Sequence, residues 1–312
     1  MLQGFFMKIV LPVAGSGVRL RPYTEDRPKC LLPVAGKTII DWIVEDSLEL
    51  KPSELVFITG YKAEQMDAFL EGKDWGSVKT VRQENPQGLG EAISLALPHV
   101  SDDEPLLIIL GDTLFEADLS FLKDEQENVL YTFKVEDPSR FGVAVTAADG
   151  HIERLVEKPQ EFVSDEAIVG IYYIKDVKVL RESLKYLMDN DVRTKGEFQL
   201  TDALEMMLQK GCKFRTAPVK KWLDCGLIET LLATNAEVLT RNDNSMDVEF
   251  PGTTIIGPCH FGNDVVIENC TIGPNVAVGD GCVLKRCTIK DAILWDRVQV
   301  KYGSIQDTIL HR

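Results

Sequence analysis

Histidine is scarce in this chain, with four copies in 312 residues. No Ser–His signature accompanies them, so little supports a nucleophile activated by a basic imidazole. Cysteine is present but unpatterned, at positions 30, 212, 225, 259, 270, 282 and 287. None forms Cys-x-x-Cys, which leaves structural zinc and thioredoxin-type chemistry unsupported. The thiols read as reduced, small apolar residues of a cytoplasmic chain. Positive charge is the minority sign, 34 basic side chains against 49 acidic, for a net charge of −15. That is the wrong sign for gripping a nucleic-acid backbone, and no nucleic-acid partner is expected. Long hydrophobic runs are missing as well. The longest uninterrupted aliphatic stretch, Leu106 to Leu110, falls far below the roughly 20 apolar residues of a membrane helix, so no membrane partner is expected. No charged segment followed by an apolar core opens the sequence, which argues against a secretory signal. Residues 1–6 carry no pattern, and Met7, where the first strand-like run begins, fits a natural start as well as Met1 does.

What is present is material for a large core: 45% of the residues are apolar. A chain this long has room for two domains of roughly 150 residues and buries about 75% of its unfolded surface. Residues 7–240 alternate short β-branched runs with helical periodicity. The strand candidates are Lys8–Val13, Leu55–Thr59, Val78–Arg82, Leu106–Leu110, Val129–Val135, Val143–Ala147, Ile152–Glu157 and Ile168–Ile174. In 38–50, Ile39, Ile40, Ile43, Val44 and Leu48 recur at helical spacing, and 63–70 and 89–97 read similarly. This alternation implies an α/β, Rossmann-like, mostly parallel sheet with helices on both faces. Such sheets bind ligands at the carboxyl ends of their strands.

The grammar changes after residue 240. Residues 241–250 look like a linker, and from 251 to 312 apolar positions recur about every six residues. Three hexads run in register: 272–277, 278–283 and 284–289. Each opens on an aliphatic residue and carries a small or β-branched one at its fifth place. Phe261, Val265, Ile267 and Thr271 continue the pattern backwards, one residue out of phase. A hexad repeat is the signature of a parallel β-helix, three hexads to a triangular coil.

Chemistry is expected where strands end. The first strand runs into Ala14-Gly15-Ser16-Gly17-Val18-Arg19-Leu20-Arg21-Pro22. A Gly-x-Gly turn there lets backbone N–H groups approach phosphate oxygens. It is neither the dinucleotide fingerprint nor a Walker loop, because Leu20 holds the third glycine place and no Gly-Lys follows. Arg19, Arg21, Arg27, Lys29 and Lys37, against only Glu25 and Asp26, make residues 15–37 a cationic island and hence a candidate anion site. Asp112, in Leu-Gly-Asp, and Asp224, in Trp-Leu-Asp-Cys-Gly, lie at strand exits beside glycine. They read equally as Asx-turn or helix-cap residues and as a pair able to hold Mg²⁺, which takes one or two carboxylates plus phosphate oxygens. Gln83 closes a strand and Gly88 precedes a helix. An amide at a strand end offers both an acceptor and a donor to a base edge.

Together, residues 15–22 and Pro28-Lys29-Cys30-Leu31-Leu32-Pro33-Val34 resemble the signature of sugar-1-phosphate nucleotidyltransferases. Further matches follow in order: Gln83 with Gly88-Leu89-Gly90, Leu110-Gly111-Asp112, Phe141-Gly142-Val143, Val156-Glu157-Lys158-Pro159, Val169-Gly170-Ile171-Tyr172, residues 196–202, and residues 222–226. Val18 departs from the pattern, since the family usually carries Thr or Ser there. The resemblance implies that a sugar-1-phosphate oxygen attacks the α-phosphorus of a nucleoside triphosphate and pyrophosphate leaves. It casts Arg19 and Lys29 as catalytic cations, and Ala14, Gly15, Ser16, Gly17, Gln83, Gly88 and Asp112 as nucleotide-binding. Gly142, Glu157, Lys158, Gly170, Tyr172 and Lys195 would bind the sugar phosphate, and Asp112 and Asp224 would hold Mg²⁺. It also implies a left-handed β-helix and a homo-oligomer. Lys195 stands where close thymidylyltransferases often carry Arg, which turns a bidentate grip into a point charge. Gln83 fits a pyrimidine without excluding adenine. The expected reaction is dTTP with glucose-1-phosphate giving dTDP-glucose, with UTP or another NDP-sugar pyrophosphorylase reaction as the alternative. A hexapeptide acyltransferase and a non-catalytic nucleotide-sugar sensor are the more distant readings.

Overall fold

The computed structural model describes residues 7–311. The unpatterned residues 1–6 and the final Arg312 lie outside the described residues. In chain order the regular elements begin with β1 (Lys8–Pro12), the hairpin β2 (Pro33–Val34) and β3 (Lys37–Thr38), α1 (Ile39–Ser47), β4 (Glu54–Thr59) and α2 (Ala63–Glu71). They continue with β5 (Val78–Arg82), α3 (Leu89–Ala96), β6 (Leu106–Ile109), β7 (Thr113–Glu116), β8 (Asn128–Lys134), β9 (Gly142–Thr146), β10 (Ile152–Glu157) and β11 (Glu166–Ile174). Then come α4 (Val177–Asp189), α5 (Leu200–Gln209), β12 (Phe214–Pro218), β13 (Lys221–Asp224) and α6 (Ile228–Leu239). The described chain divides by compactness into two units, one of residues up to 16 and 43–222, the other of residues 17–42 and from 223 on.

The first unit is built on a sheet of order β10-β9-β11-β6-β1-β4-β5, with β8 paired to β11 and β12 to β8. Strands β6, β1, β4 and β5 run parallel, as the strand–helix alternation implies. Beyond β6 the sheet turns antiparallel, at β11 against β6, β8 and β9 and at β10 against β9. A run such as Ile9-Val10-Leu11 is wholly buried because helices cover both faces of the sheet. Side chains alternate along a strand: Val56 and Ile58 of β4 join Ile93, Leu180 and Leu204 from α3, α4 and α5 in one core. Phe57, between them, points the other way and stacks on Trp75, which also meets Phe69 of α2.

In the second unit the hairpin β2–β3 groups with the C-terminal strands, cutting across the expected division at residue 240. Hydrogen bonds explain the grouping. The Ala35 N–H donates to Asn235 Oδ1 of α6 at 2.9 Å, and Asn242 Nδ2 donates to the Ala35 carbonyl at 2.6 Å.

From residue 254 on, strands stack in three parallel series. Thr254, Thr271, Thr288 and Ser304 pair in one. Cys259, Val276, Ala292 and Thr308 pair in the second, and Val266, Val283 and Gln299 in the third. This curled sheet matches the expected left-handed β-helix. A coil takes 17 residues from Thr271 to Thr288 but 16 from Val276 to Ala292, not the 18 of three full hexads. The shortened coil corrects the expected register. Ile272, Val276, Val278, Cys282 and Leu284 are buried as the hexads require, but Cys287 and Ile289 point inward and Thr288 is exposed. The third hexad slips because Arg286, at φ 54°, turns the corner one residue early.

All seven cysteines are free thiols, six of them buried. Cys270 and Cys287 face each other across adjacent coils, sulfur to sulfur at 3.5 Å. Burial pushes the Cys287 thiol up to about 12, which keeps it in its inert, protonated form. Among the described residues no helix is long and apolar enough to cross a membrane.

The corrected coil register has a measurable consequence. Leu284→Ala should destabilise the protein by ~2–5 kcal/mol, the usual cost of an aliphatic cavity. Thr288→Ala, at the place the hexad count marks as inward, should stay within ~0.5 kcal/mol. Chemical denaturation of both variants reads the difference, and equal losses would restore the uniform hexad.

Candidate functional site

The first unit gathers chemistry around the carboxyl end of β1. Past Pro12 the chain stays tethered to β4, for the Val13 N–H donates to the Ile58 carbonyl at 2.9 Å and the Tyr61 N–H to the Ala14 carbonyl at 3.1 Å. Two glycines make this passage possible. A Cβ on Gly60 would lie 2.8 Å from Ala14 Cβ, and one on Gly111 would lie 2.5 Å from Val13 Cγ1. Residues 12–14 are therefore clasped between two bare backbones, and Gly15 and Ser16 emerge beside them. A Cβ on Gly15 would meet nothing within 4 Å among the described residues, so its backbone borders open space. Gly111 was legible as part of Leu-Gly-Asp; Gly60 was not, because its role exists only across strands.

Gln83 follows β5 directly and is 6% exposed. Its backbone N–H donates to the Thr59 carbonyl at 2.8 Å. Gly88 sits at φ 124° before α3, and a Cβ there would press on the Phe198 carbonyl at 2.5 Å. Chain-to-chain hydrogen bonds lock the junction: Gly90 N–H donates to the Phe198 carbonyl and Phe198 N–H to the Gln87 carbonyl. The two neighbouring sequence matches, Gly88-Leu89-Gly90 and residues 196–202, are thus one structural joint.

Glu157 and Gly142 face each other across the β9–β10 pairing. Thr201 Oγ1, from the first turn of α5, donates to Glu157 Oε2 at 2.8 Å, while Lys158 Nζ lies 3.0 Å from Oε1. A Cβ on Gly142 would fall 2.9 Å from Thr201 Oγ1 and 3.0 Å from Glu157 Oε2, so the glycine leaves room for the hydrogen bond between them. Gly170, at φ 91°, accepts from the Leu110 N–H at 2.9 Å and lies against the Leu110 side chain. Tyr172 is buried; burial first, then the charges of Glu157 and Asp112, raise its hydroxyl far above the ordinary value. Asp112 is half-buried past β6, and Thr113 Oγ1 reaches its Oδ1 at 3.4 Å. These residues, expected to bind sugar and metal, share one region. Lys195 is exposed at φ 54° on the turn closed by Thr194 and Glu197.

Among the described residues, two buried polar atoms here have no hydrogen-bond partner, Asp202 Oδ2 and Trp222 Nε1. Burial, with Glu157 adding charge, raises the Asp202 carboxyl, although a bond from Thr194 works the other way. Trp222 stacks its ring edge-on to Phe141 at 4.8 Å. Both were visible only as parts of matched motifs, since burial cannot be read from residue type.

The second unit holds Gly17, Arg19, Lys29 and Asp224. Gly17 adopts φ 60°, its carbonyl accepts from Thr24 Oγ1 at 2.8 Å, and a Cβ would meet Thr24 Cγ2 at 2.9 Å and Lys29 Cβ at 3.1 Å. Thr24 and Lys29 are thereby packed under the turn, with Lys29 only 9% exposed. Arg19 is exposed on the short 3₁₀ turn Val18–Leu20, beside Val18 at 59%. The cationic island is less uniform than its sequence. Arg27 lies over the Trp295 ring at 4.3 Å and Lys37 over Trp42 at 4.7 Å, contacts that use part of the charge for packing. Asp224 sits next to bare backbone, since a Cβ on Gly226 would meet its Oδ1 at 2.8 Å. His260 packs against Gly36 and Asn242, and burial lowers its basicity. His311 rests edge-on to Tyr23. The expected set divides between the two units, and among the described residues no three or more His, Cys, Asp or Glu side chains cluster as a metal site.

Comparison with known proteins supplies the context. The sequence model of the family described as Nucleotidyl transferase matches residues 8–241. The Bifunctional protein GlmU of Methanococcus maripaludis is 31% identical over 273 residues, which cover 86% of this chain and 62% of the relative. The low-salt glycan biosynthesis nucleotidyltransferase Agl11 of Haloferax volcanii is 32% identical over 242 residues, 75% of this chain and 66% of the relative. The chain thus spans about three-fifths to two-thirds of the length of these relatives. Among solved structures, a UDP-glucose pyrophosphorylase complexed with UDP-glucose superposes with a TM-score of 0.65 at 23% identity, covering 76% of this chain and 99% of its own. That likeness is one of fold.

Asp202 gives this region a pH signature. Its raised folded value means that its stabilising contribution is present below the ordinary carboxylate value of 3.8 and is lost as pH rises through the folded value. Asp202→Asn should therefore melt a few degrees above the parent at pH 7, with the gap closing as pH falls toward 4. Thermal scans across that range check it; a gap independent of pH would mean the carboxyl is not strained.

Proposed function

We propose, on the premise that the chain belongs to the nucleotidyl transferase family, that it joins a nucleoside triphosphate to a sugar-1-phosphate. The preferred pair is dTTP and glucose-1-phosphate, which give dTDP-glucose and pyrophosphate. A phosphate oxygen of the sugar-1-phosphate attacks the α-phosphorus in line, and the bond to the β-phosphate's bridging oxygen breaks as pyrophosphate departs. Such a transfer needs positioning and charge neutralisation more than acid–base groups.

The observation that carries this reading is the clasp of residues 12–14 between Gly60 and Gly111, which holds the start of the Gly15-Ser16-Gly17 turn and supports its use as an anion cradle. Arg19 would offset charge on the departing pyrophosphate, and Lys29 would hold the α-phosphate. Glu157, with one oxygen held by Thr201 and the other beside Lys158, would accept sugar hydroxyls in a pocket completed by Gly142, Gly170 and Tyr172. Lys158 and Lys195 would attract the sugar phosphate.

Mg²⁺ would be held by Asp112 and Asp224 together with phosphate oxygens; when bound it supplies charge neutralisation. Both donors are hard carboxylate oxygens at glycine-flanked turns, as that ion requires.

UTP is the second reading, because uracil and thymine share a polar edge and differ by a methyl worth about 1–3 kcal/mol. A hexapeptide acyltransferase needs a basic histidine at its acyl donor, and His260 and His311 are both engaged in packing. A silent sensor of nucleotide sugars would have little use for the full set of charged side chains retained here. A cytoplasmic location and a homo-oligomer complete the reading; sizing of purified protein checks the latter.

A pyrophosphate-release screen of five nucleoside triphosphates against several sugar-1-phosphates tests the proposal. Turnover with dTTP or UTP and a hexose-1-phosphate is expected, and release with no pair would refute it. Arg19→Ala should lower kcat by several orders of magnitude with the fold intact; activity within about threefold of the parent would remove Arg19 from the role. Asp112→Asn and Asp224→Asn should each abolish Mg²⁺-dependent turnover, and unchanged metal titrations in both would misplace the metal site.

A further inference from the structure

Gln83 can present its amide to a base in either of two orientations, and the two read different bases. With the oxygen toward the base's ring nitrogen it accepts from an N–H and donates to the adjacent carbonyl, the imide edge of uracil and thymine. Turned over, it donates to a bare ring nitrogen and accepts from an exocyclic amine, the edge of cytosine and adenine. A free Gln would serve both.

This one is not free. Its Nε2 donates to Glu91 Oε2 at 2.5 Å, and the same oxygen accepts from the Gln87 N–H at 3.3 Å. A carboxylate only accepts, so turning the amide over would set two acceptors against each other in a site where Gln83 is buried. Glu91 itself is fixed, in the first turn of α3, where a helix N-terminus favours its negative charge. The backbone of Gln83 is pinned to Thr59 on the opposite side.

We propose that Glu91 is a positioning residue that locks the Gln83 amide in one orientation, and that the enzyme thereby admits nucleotides with an imide edge and rejects those with an amino-substituted edge. The inference rests on the proposed function, in which Gln83 meets the base. It narrows the donor to dTTP and UTP against CTP and ATP through a residue that need not touch the nucleotide.

The test is Glu91→Gln, which keeps shape and hydrogen bonding but can donate as well as accept, so that either orientation of Gln83 is satisfied. Glu91→Met removes the lock altogether. The kcat/KM ratio of the better of dTTP and UTP over CTP should fall at least tenfold in Glu91→Gln, mostly through improved use of CTP. Calorimetric binding of UTP and CTP to the same proteins should show the same convergence without turnover. A ratio within about twofold of the parent in both variants, or an equal loss for every nucleotide, overturns the role of Glu91. A parent protein that uses neither dTTP nor UTP instead overturns the proposed function.

Discussion

The close approach of three backbones at the end of β1 is the constraint on which the site depends. Residues 12–14 pass between Gly60 and Gly111 with no room for a Cβ on either side, and hydrogen bonds to Ile58 and from Tyr61 fix their height. A loop held this way presents its N–H groups without the conformational freedom that would otherwise weaken anion binding. The parallel strands β6, β1 and β4 deliver all three backbones to the same end of the sheet, where an α/β fold leaves its crevice. The fold and the clasp on residues 12–14 are therefore consequences of the same strand order.

Around that crevice the first unit tolerates unfavourable electrostatics. Burial, and then the charges of Glu157 and Asp112, raise the Tyr172 hydroxyl; burial, and then Glu157, raise the carboxyl of Asp202, and among the described residues one of its oxygens has no hydrogen-bond partner. A carboxyl taken out of water and a buried acceptor left open cost stability. Groups arranged at that cost are typical of places that meet a ligand. By contrast, the second unit satisfies its cations by laying Arg27 and Lys37 on tryptophan rings, and its histidines serve packing.

Much of this was legible in the sequence because it is local. Strand β1, the parallel core, the strand end at Gln83 and the helix start after Gly88 follow from buried runs, periodicity and glycine placement. The ordered motifs identified the family that residues 8–241 match. Less legible were features made by pairing across distance. The antiparallel turn of the sheet beyond β6 cannot be told from strand periodicity, which is the same in both directions. The coil length depended on early corners at Arg286 and Asp291, whose positive φ is invisible in residue types that seldom adopt it. The cationic island looked uniform because charge can be counted along a chain, whereas the aromatic rings that occupy Arg27 and Lys37 cannot.

The central claim is that the turn after β1 receives a polyphosphate. Diffraction from crystals grown with Mg²⁺ and a dTTP analogue whose α,β-bridging oxygen is replaced by a carbon tests it most directly. Triphosphate density is expected against the backbone of residues 14–17, with the base at Gln83 and one ion shared by Asp112 and Asp224. A triphosphate bound elsewhere, or those two carboxylates on separate sites, would contradict it.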